Sequence, residues 1–204
     1  NIAVLPYIIG DTSAYDFCRA FMSLAENYPP ENFYGSLNLL GSHDRERVMN
    51  ILGGYPLAKY GFDNETVYHD LTHEQYSLAA RRYKMLSILQ YCLPGVPDIY
   101  YGDETGVQGG SDPDCRRTYP WGREDQDLVD HFRWLGGFYH QHPCLKSGKF
   151  ILTPLNDDVV ALERFNEEER ILIIINRSYH SMTVTYKGVT YDLWPYDGKI
   201  VSLN

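Results

Sequence analysis

Two polar segments contain the residues whose types and spacing could do chemistry. His43 and Asp44 are adjacent within the run 41–47, which directly follows an apolar segment, and the run 112–117 combines two aspartates with an arginine pair. A histidine beside a carboxylate suits proton transfer or the binding of hydroxyl groups, and arginine offers five donors in one plane. Each segment also has a purely structural interpretation, as a carboxylate cap for backbone N–H groups at Asp44 and as an Asx turn with solvated arginines at 112–117.

The elements around these segments predict how they are positioned. Residues 34–40 and 96–101 are short apolar runs that we predict as strands, and the second leads into a long loop, 102–123. Apolar residues at steps of three and four predict helices over 13–27, 72–93 and 127–142. Alternating strands and helices are typical of a parallel sheet, and in a (β/α)8 barrel the loops after the strands meet on one side. We therefore expect both polar segments to face the same side.

The character of the chain changes near Lys146. Short segments rich in β-branched and aromatic residues follow, separated by turn residues, and they predict a small antiparallel β domain of about 55 residues. The predicted strands begin near Phe150 and continue at 159–165, 171–175, 182–186, 191–194 and 200–203. Asp197-Gly198 is predicted to be a hairpin turn.

Composition restricts the classes of function. The chain has 204 residues, 44% of them hydrophobic, and a formal net charge of −9, which disfavours nucleic acid and anionic membranes as partners. Neutral partners fit better, and the 18 tyrosines suit sugars as well as ordinary packing. No apolar stretch is long enough to span a membrane. The four scattered cysteines form no C-x-x-C pair, so we expect reduced and mostly buried thiols.

Four ordered motifs resemble the alpha-amylase family of glycoside hydrolases, most closely its neopullulanase, cyclomaltodextrinase and maltogenic amylase branch. They are LLGSHDRER at 39–47, LPGVPDIYYGDETG at 93–106, DPDCRR at 112–117 and YPWG at 119–122. The resemblance covers essentially the whole chain. It implies that residues 1–146 are the C-terminal portion of a (β/α)8 TIM barrel, about its last two β/α units, and that residues 147–204 form a β-sandwich domain.

The resemblance also implies roles for single residues. Asp44 matches the carboxylate that stabilises the transition state, His43 matches its neighbour that binds the same sugar, and Asp112 and Arg116 match the pair that binds a glucose further toward the non-reducing end. The reaction implied is retaining cleavage of α-glucosidic bonds in maltooligosaccharides, pullulan or cyclodextrins. Such a reaction needs a nucleophile and an acid about 5 to 5.5 Å apart. In the family these follow the fourth and fifth barrel strands, and neither lies in this chain.

Other candidates favour structural interpretations. Asp103 and Glu104 are adjacent acids on an extended segment, and we interpret them as loop residues rather than catalytic groups. His69 and His73 have the spacing of a metal pair, but no third ligand is evident, so no metal site and no cofactor are predicted in this segment. Calcium elsewhere in the parent protein is left open. Tyr100 and Trp121 are expected to pack rather than to stack on sugars.

The chain starts without Met, which suggests a fragment or a processed protein whose N-terminal barrel part is the missing partner. No signal peptide is visible, and the location is left as cytoplasmic or undetermined. We expect the isolated chain to lack glycosidase activity and to self-associate through uncovered sheet edges and apolar faces. The alternatives are a non-catalytic, amylase-like scaffold or sugar-binding protein, which an upstream sequence lacking the Asp and Glu would favour, and an enzyme split over two chains.

Overall fold

The structure is a computed structural model that describes residues 3–54 and 70–203. The first part contains helices α1 (Val4–Ile9), α2 (Ala14–Asn27), α3 (Pro30–Tyr34) and α4 (Val48–Leu52), with strand β1 (Leu37–Leu39) between α3 and α4. Helix α5 (His73–Cys92), strand β2 (Val96–Asp98) and helices α6 (Gln126–Gln141) and α7 (Pro143–Ser147) follow. The last strands are β3 (Lys149–Pro154), β4 (Val159–Phe165), β5 (Arg170–Asn176), β6 (Met182–Tyr186), β7 (Val189–Leu193) and β8 (Asp197–Ser202). Among the described residues, no helix has both the length and the apolar character needed to cross a membrane.

The chain divides into two compact units. We call Asn1–Asn38, Met85–Pro97 and Leu135–Asn204 the terminal unit. We call Leu39–Lys84 and Asp98–Trp134 the loop unit. These units divide the chain differently from the predicted domains 1–146 and 147–204, and that domain assignment stays a prediction.

The predicted helices form close to their predicted bounds because their local signals are strong. Ser13 caps α2: its hydroxyl accepts a hydrogen bond from the Asp16 amide at 3.1 Å, and its own amide donates to the Asp16 carboxylate at 3.2 Å. Thr72 and Gln75 form the same reciprocal pair before α5. The apolar residues at steps of three and four along α5 and just after it are buried, namely Ala79, Tyr83, Leu86, Leu89 and Leu93.

The two strands predicted for the barrel are shorter than expected. β1 and β2 pair in a two-stranded sheet and cover three residues each, whereas 34–40 and 96–101 were predicted. The first prediction is too long because Pro30 starts a helix that includes Tyr34. The barrel to which these strands are assigned stays a prediction.

The antiparallel β domain is confirmed. Strands β3, β4, β5 and β8 form one antiparallel sheet in the order β3-β4-β5-β8, and β6 pairs with β7 in a second. Apolar side chains from both sheets form one buried cluster, with Leu172 and Ile174 from the first sheet and Val184 and Leu193 from the second. Two sheets that share one apolar core are the arrangement of a sandwich.

The hairpin turn predicted at Asp197-Gly198 is wrong. These two residues begin β8, where Gly198 pairs with Ile175 of β5, and the preceding turn lies at Pro195 and Tyr196. Glycine is favoured at position 198 because the backbone there packs closely against Ile88. A Cβ atom at this position would lie 2.7 Å from Cδ1 of Ile88. The sequence pattern of a turn glycine and of a close-packing glycine is the same, and only the tertiary contact separates them.

All four cysteines, Cys18, Cys92, Cys115 and Cys144, are buried and free, as the sequence predicted. Burial raises the pKa of the Cys18 thiol to about 12, so this side chain remains a neutral, apolar packing group.

Candidate functional site

The four residues predicted to meet substrate lie together in the loop unit. His43 and Asp44 follow β1, and their side chains approach each other at 3.2 Å, from Nε2 to Oδ1. Arg116 lies between the two carboxylates: its Nη2 is 3.8 Å from Oδ1 of Asp44, and its Nε is 2.9 Å from Oδ1 of Asp112. The Nε–H of Arg116 also donates to the backbone carbonyl of His43 at 3.0 Å. The structure therefore joins the two polar segments through Arg116.

This cluster is open to solvent. The side chains of His43 and Asp44 are mostly exposed, and that of Arg116 is about half exposed. Ion pairs in such surroundings are weak, so little free energy is lost when a ligand hydroxyl replaces one of these contacts. Two acceptors, one imidazole and one five-donor guanidinium are thus available together, and they suit a ligand with many hydroxyl groups.

A fully buried ion pair supports the loop that bears Asp44. The side chain of Arg47 is 0% exposed, and its Nη1 lies 2.9 Å from Oδ1 of Asp103, which is 1% exposed. Arg47 also donates to the backbone carbonyl of Tyr101 at 2.6 Å and to that of Cys115 at 2.7 Å. Its guanidinium stacks over the ring of Tyr100, 4.2 Å from the centroid. One side chain therefore connects the segment after β1, the segment after β2 and the segment that bears Arg116.

The backbone around this ion pair is packed too closely for larger residues. A Cβ atom on Gly41 would lie 2.2 Å from Oδ2 of Asp103, and one on Gly102 would lie 2.7 Å from Val107. Gly102 also has a φ of 85°, which favours glycine. Burial raises the pKa of Asp103 to about 7, although the charge of Arg47 and its hydrogen bond act in the opposite direction.

A second carboxylate orders the segment 112–117. Asp114 is buried and accepts hydrogen bonds from the Gly110 amide and from Nε and Nη2 of Arg117, each at 2.7 Å. Arg117 also pairs with Asp70. Asp114 and Arg117 thus satisfy each other within the loop unit, whereas the side chain of Arg116 is about half exposed and that of Asp112 is partly buried.

A polar cleft of about 640 Å³ also lies in the loop unit. Its walls include Tyr76, whose hydroxyl donates to Asp125 at 2.8 Å, and the side chain of Arg123. No pattern in the sequence indicates this cleft, because its walls come from α5 and from several parts of the loop 102–123 that only folding brings together.

The other sequence candidates differ in where they lie. Asp103 is buried in the ion pair with Arg47, a position that fits the loop interpretation. His73 begins α5 and is exposed, whereas its predicted partner His69 falls outside the described residues. Over residues 3–54 and 70–203, no group of three or more His, Cys, Asp or Glu side chains is arranged to hold a metal ion.

The packing predicted for Trp121 is wrong, and that predicted for Tyr100 holds. Trp121 is 81% exposed and touches the ring of Tyr119, with centroids 4.5 Å apart. Tyr100 packs against Tyr101, with centroids 4.7 Å apart, and against Arg47. Trp121 lies in a loop whose apolar residues do not recur at a regular spacing. The sequence therefore contains no signal that separates an exposed tryptophan from a buried one at this position.

Sequence reasoning did not identify the supporting role of Arg47. The signals that could have indicated it are a charged residue just before the apolar helix α4 and the glycines at 41 and 102. Each is weak alone, because an arginine before a helix is normally a solvated residue. The pairing of Arg47 with Asp103, which is 56 positions away, is visible only in the tertiary structure.

Comparison with known proteins gives concordant sequence and structure relatives. The chain is 42% identical over 146 residues to an amylopullulanase of Thermoanaerobacter thermohydrosulfuricus, a match that covers 72% of this chain and 9% of that protein. It is 31% identical over 172 residues to a cyclomaltodextrinase of Geobacillus thermopakistaniensis, covering 82% and 25%. The chain thus spans a quarter or less of the length of these relatives. No family model matches.

Solved structures have the same fold. A cyclic alpha-maltosyl-(1→6)-maltose hydrolase from Arthrobacter globiformis superposes with a TM-score of 0.81 and 25% sequence identity, over 99% of this chain and 43% of that one. The same enzyme in complex with maltose superposes with a TM-score of 0.79. These neighbours have a C-terminal sheet domain, to which the antiparallel sheets described above correspond.

Proposed function

Because this chain belongs to the alpha-amylase family, we propose that it is part of a retaining glycoside hydrolase that acts on α-glucosidic bonds of maltooligosaccharides, pullulan or cyclodextrins. The single observation that carries the proposal is the cluster that His43, Asp44, Asp112 and Arg116 form in the loop unit. This class of substrate is supported by the names of the relatives, which are amylopullulanase, cyclomaltodextrinase and cyclic alpha-maltosyl-(1→6)-maltose hydrolase.

Each residue of the cluster has a physical task in this proposal. The carboxylate of Asp44 accepts hydrogen bonds from hydroxyls of the sugar at the cleavage point, and these bonds strengthen as the ring flattens and gains positive charge. His43 donates to the same sugar. Arg116 and Asp112 together present donors and acceptors to a second glucose, because the guanidinium binds planar arrays of oxygen atoms and the carboxylate accepts from hydroxyls.

The proposal assigns the nucleophile and the acid to parts of the parent protein outside these 204 residues. The isolated chain then contains one of three catalytic carboxylates and has no measurable glycosidase activity. The longer protein that contains this segment hydrolyses maltotriose or pullulan. A non-catalytic, amylase-like protein is the competing proposal, and it predicts that the longer protein binds these glucans without cleaving them.

The decisive test compares variants of the longer protein. Asp44→Asn keeps the shape of the side chain and removes its charge, and we expect kcat on maltotriose to fall about 10²- to 10³-fold, as for the loss of one preorganised charge-stabilising group. Arg116→Met removes a binding contact made in both ground and transition state, so KM rises while kcat changes little. Arg45→Met, on an exposed neighbour of Asp44, is the matched control. Full activity of Asp44→Asn, or turnover of maltotriose by the isolated chain, overturns the proposal.

A further inference from the structure

One end of the β domain presents two large aromatic side chains to solvent. Tyr179 lies in the loop between β5 and β6 and is 70% exposed, and Trp194 lies just after β7 and is 75% exposed. Exposing rings of this size to water is unfavourable, because each could bury well over 100 Å² of surface. Tyr179 also contacts the ring of His180, with centroids 3.8 Å apart.

A buried side chain joins the two loops. Asn176 is fully buried, and its Nδ2 donates both to the carbonyl of His180, at 2.9 Å, and to that of Trp194, at 2.8 Å. The backbone amide of Tyr196 donates to the carbonyl of Ser178 at 3.0 Å. The loops that bear Tyr179 and Trp194 are therefore neighbours whose separation is fixed by three hydrogen bonds.

The conformation of both loops is further restricted. The hydroxyl of Ser178 donates to the carbonyl of His180 at 2.9 Å, and the amide of Trp194 donates to the carboxylate of Asp197 at 3.0 Å. Tyr196 has a φ of 54°, which is unfavourable for a residue other than glycine and persists where its surroundings determine it. The rings are thus presented by a preorganised frame rather than by loose loops, which lowers the entropy lost on binding.

The surroundings of the rings favour a neutral ligand. Residues 178–181 and 194–196 include no Asp, Glu, Lys or Arg. Nearby Arg177 is already engaged, with its Nη2 2.9 Å from the carboxylate of Asp158 and its Nη1 donating to the carbonyl of Tyr7. An anionic ligand would find no free cation among these groups.

We propose that Trp194 and Tyr179 form a second glucan-binding surface, separate from the cluster around Asp44, for neutral α-glucan chains. The apolar C–H face of a glucose unit packs on an aromatic ring, while the indole N–H, the phenol O–H and His180 are available to its hydroxyls. The ligand class rests on the proposed function, since the parent protein is proposed to act on α-glucans. Such a surface would retain the parent protein on long chains without taking part in cleavage.

Affinity electrophoresis of the 204-residue chain in gels that contain soluble starch tests this proposal. The starch should slow the wild-type chain, and we expect Trp194→Ala to weaken the apparent affinity about tenfold and Tyr179→Ala by a smaller factor. Trp194→Phe retains an aromatic face and should retain most of the affinity. Tyr28→Ala, at an exposed aromatic residue just after the end of α2, is the control, and circular dichroism verifies that each variant is folded.

A second pair of substitutions separates this surface from the proposed catalytic cluster. Asp44→Asn combined with Arg116→Met should leave the retardation by starch largely intact, because the aromatic surface is unchanged. If Trp194→Ala migrates like the wild type in starch, or if starch does not slow the wild type at all, the second surface does not exist. Neither result bears on the proposed function, which is tested by the kcat of the longer protein and its Asp44→Asn variant. If Trp194→Ala instead abolishes a dimer seen by light scattering without altering retardation, the occupant is a second copy and the proposal is wrong.

Discussion

Two buried carboxylates, one in each compact unit, have pKa values that are shifted in opposite directions. Asp103 in the loop unit has one cationic partner, Arg47, and burial raises its pKa to about 7. Glu163 in the terminal unit is equally buried, but burial, which raises its pKa, is outweighed by hydrogen bonds from Lys187, Tyr186 and Arg170, and its pKa lies below the usual value.

The difference comes from the number and the exposure of the donors. Glu163 accepts from the Tyr186 hydroxyl at 2.7 Å and from Arg170 at 2.5 Å, and it also pairs with Lys187. Arg170 and Lys187 remain partly exposed, so these cations lose little of their hydration. Arg47 is buried with its carboxylate, and therefore both ions of that pair are desolvated. The loop unit thus uses a costly ion pair to connect three segments, whereas the terminal unit is organised by an apolar core.

The largest effect is expected from removing Arg47. Arg47→Met leaves Asp103 buried without a cation and removes the hydrogen bonds to the carbonyls of Tyr101 and Cys115, so the free energy of unfolding of the loop unit should fall by about 3–5 kcal/mol. Hydrogen exchange resolved along the chain measures this loss in each unit. The matched control is Arg45→Met, on an exposed side chain. Equal losses in the two variants would show that the buried pair does not organise this unit.

An intermediate effect is expected in the pH dependence of stability, with opposite signs in the two units. Because the pKa of Asp103 is raised in the folded state, its contribution to the free energy of unfolding is present at low pH and is lost as the pH rises through about 7. Because the pKa of Glu163 is lowered in the folded state, its contribution to the free energy of unfolding is present above the usual pKa of 4.5. This contribution is lost as the pH falls through the pKa of the folded state. Urea unfolding between pH 3 and 8, followed separately in each unit, measures both trends.

Two substitutions act as controls for each other in this experiment. Asp103→Asn should remove the loss at rising pH and leave the acid loss, whereas Glu163→Gln should do the reverse. The comparison fails if either substitution alters the pH profile of the other unit as strongly as its own.

The smallest effect on stability is expected in the exposed cluster. Arg116→Met removes a half-exposed cation beside the exposed Asp44 and the partly buried Asp112, and we expect the free energy of unfolding to fall by about 1 kcal/mol. Urea unfolding at pH 7 measures this change beside that of Arg47→Met. A loss as large as that of Arg47→Met would mean that the cluster is part of the framework rather than a surface available to a ligand.

Much of the local structure could be predicted because its causes are local. Helices α2 and α5 begin at capping boxes that involve residues three apart, and strands β4 and β6 have the predicted bounds because their β-branched residues favour an extended backbone. The members of the candidate site were also identified from sequence, through motifs that retain their order and spacing.

The predictions that failed depended on contacts between distant residues. Gly198 has the sequence context of a hairpin turn, yet its approach to Ile88 places it in a strand. Trp121 is a large aromatic residue of the kind that often packs in a core, yet 81% of its surface is exposed.

The sequence by itself determined the helices, the strands of the β domain and the identity of the residues around Asp44, since capping, periodicity and motif spacing act over a few positions. Only the tertiary structure decided that Arg47 pairs with Asp103 and that Arg116 lies between two carboxylates. It also decided that Asn176 joins the loops of Tyr179 and Trp194. These arrangements depend on which groups lose their water together, and burial of a charge or an amide is a property of the folded chain rather than of any segment.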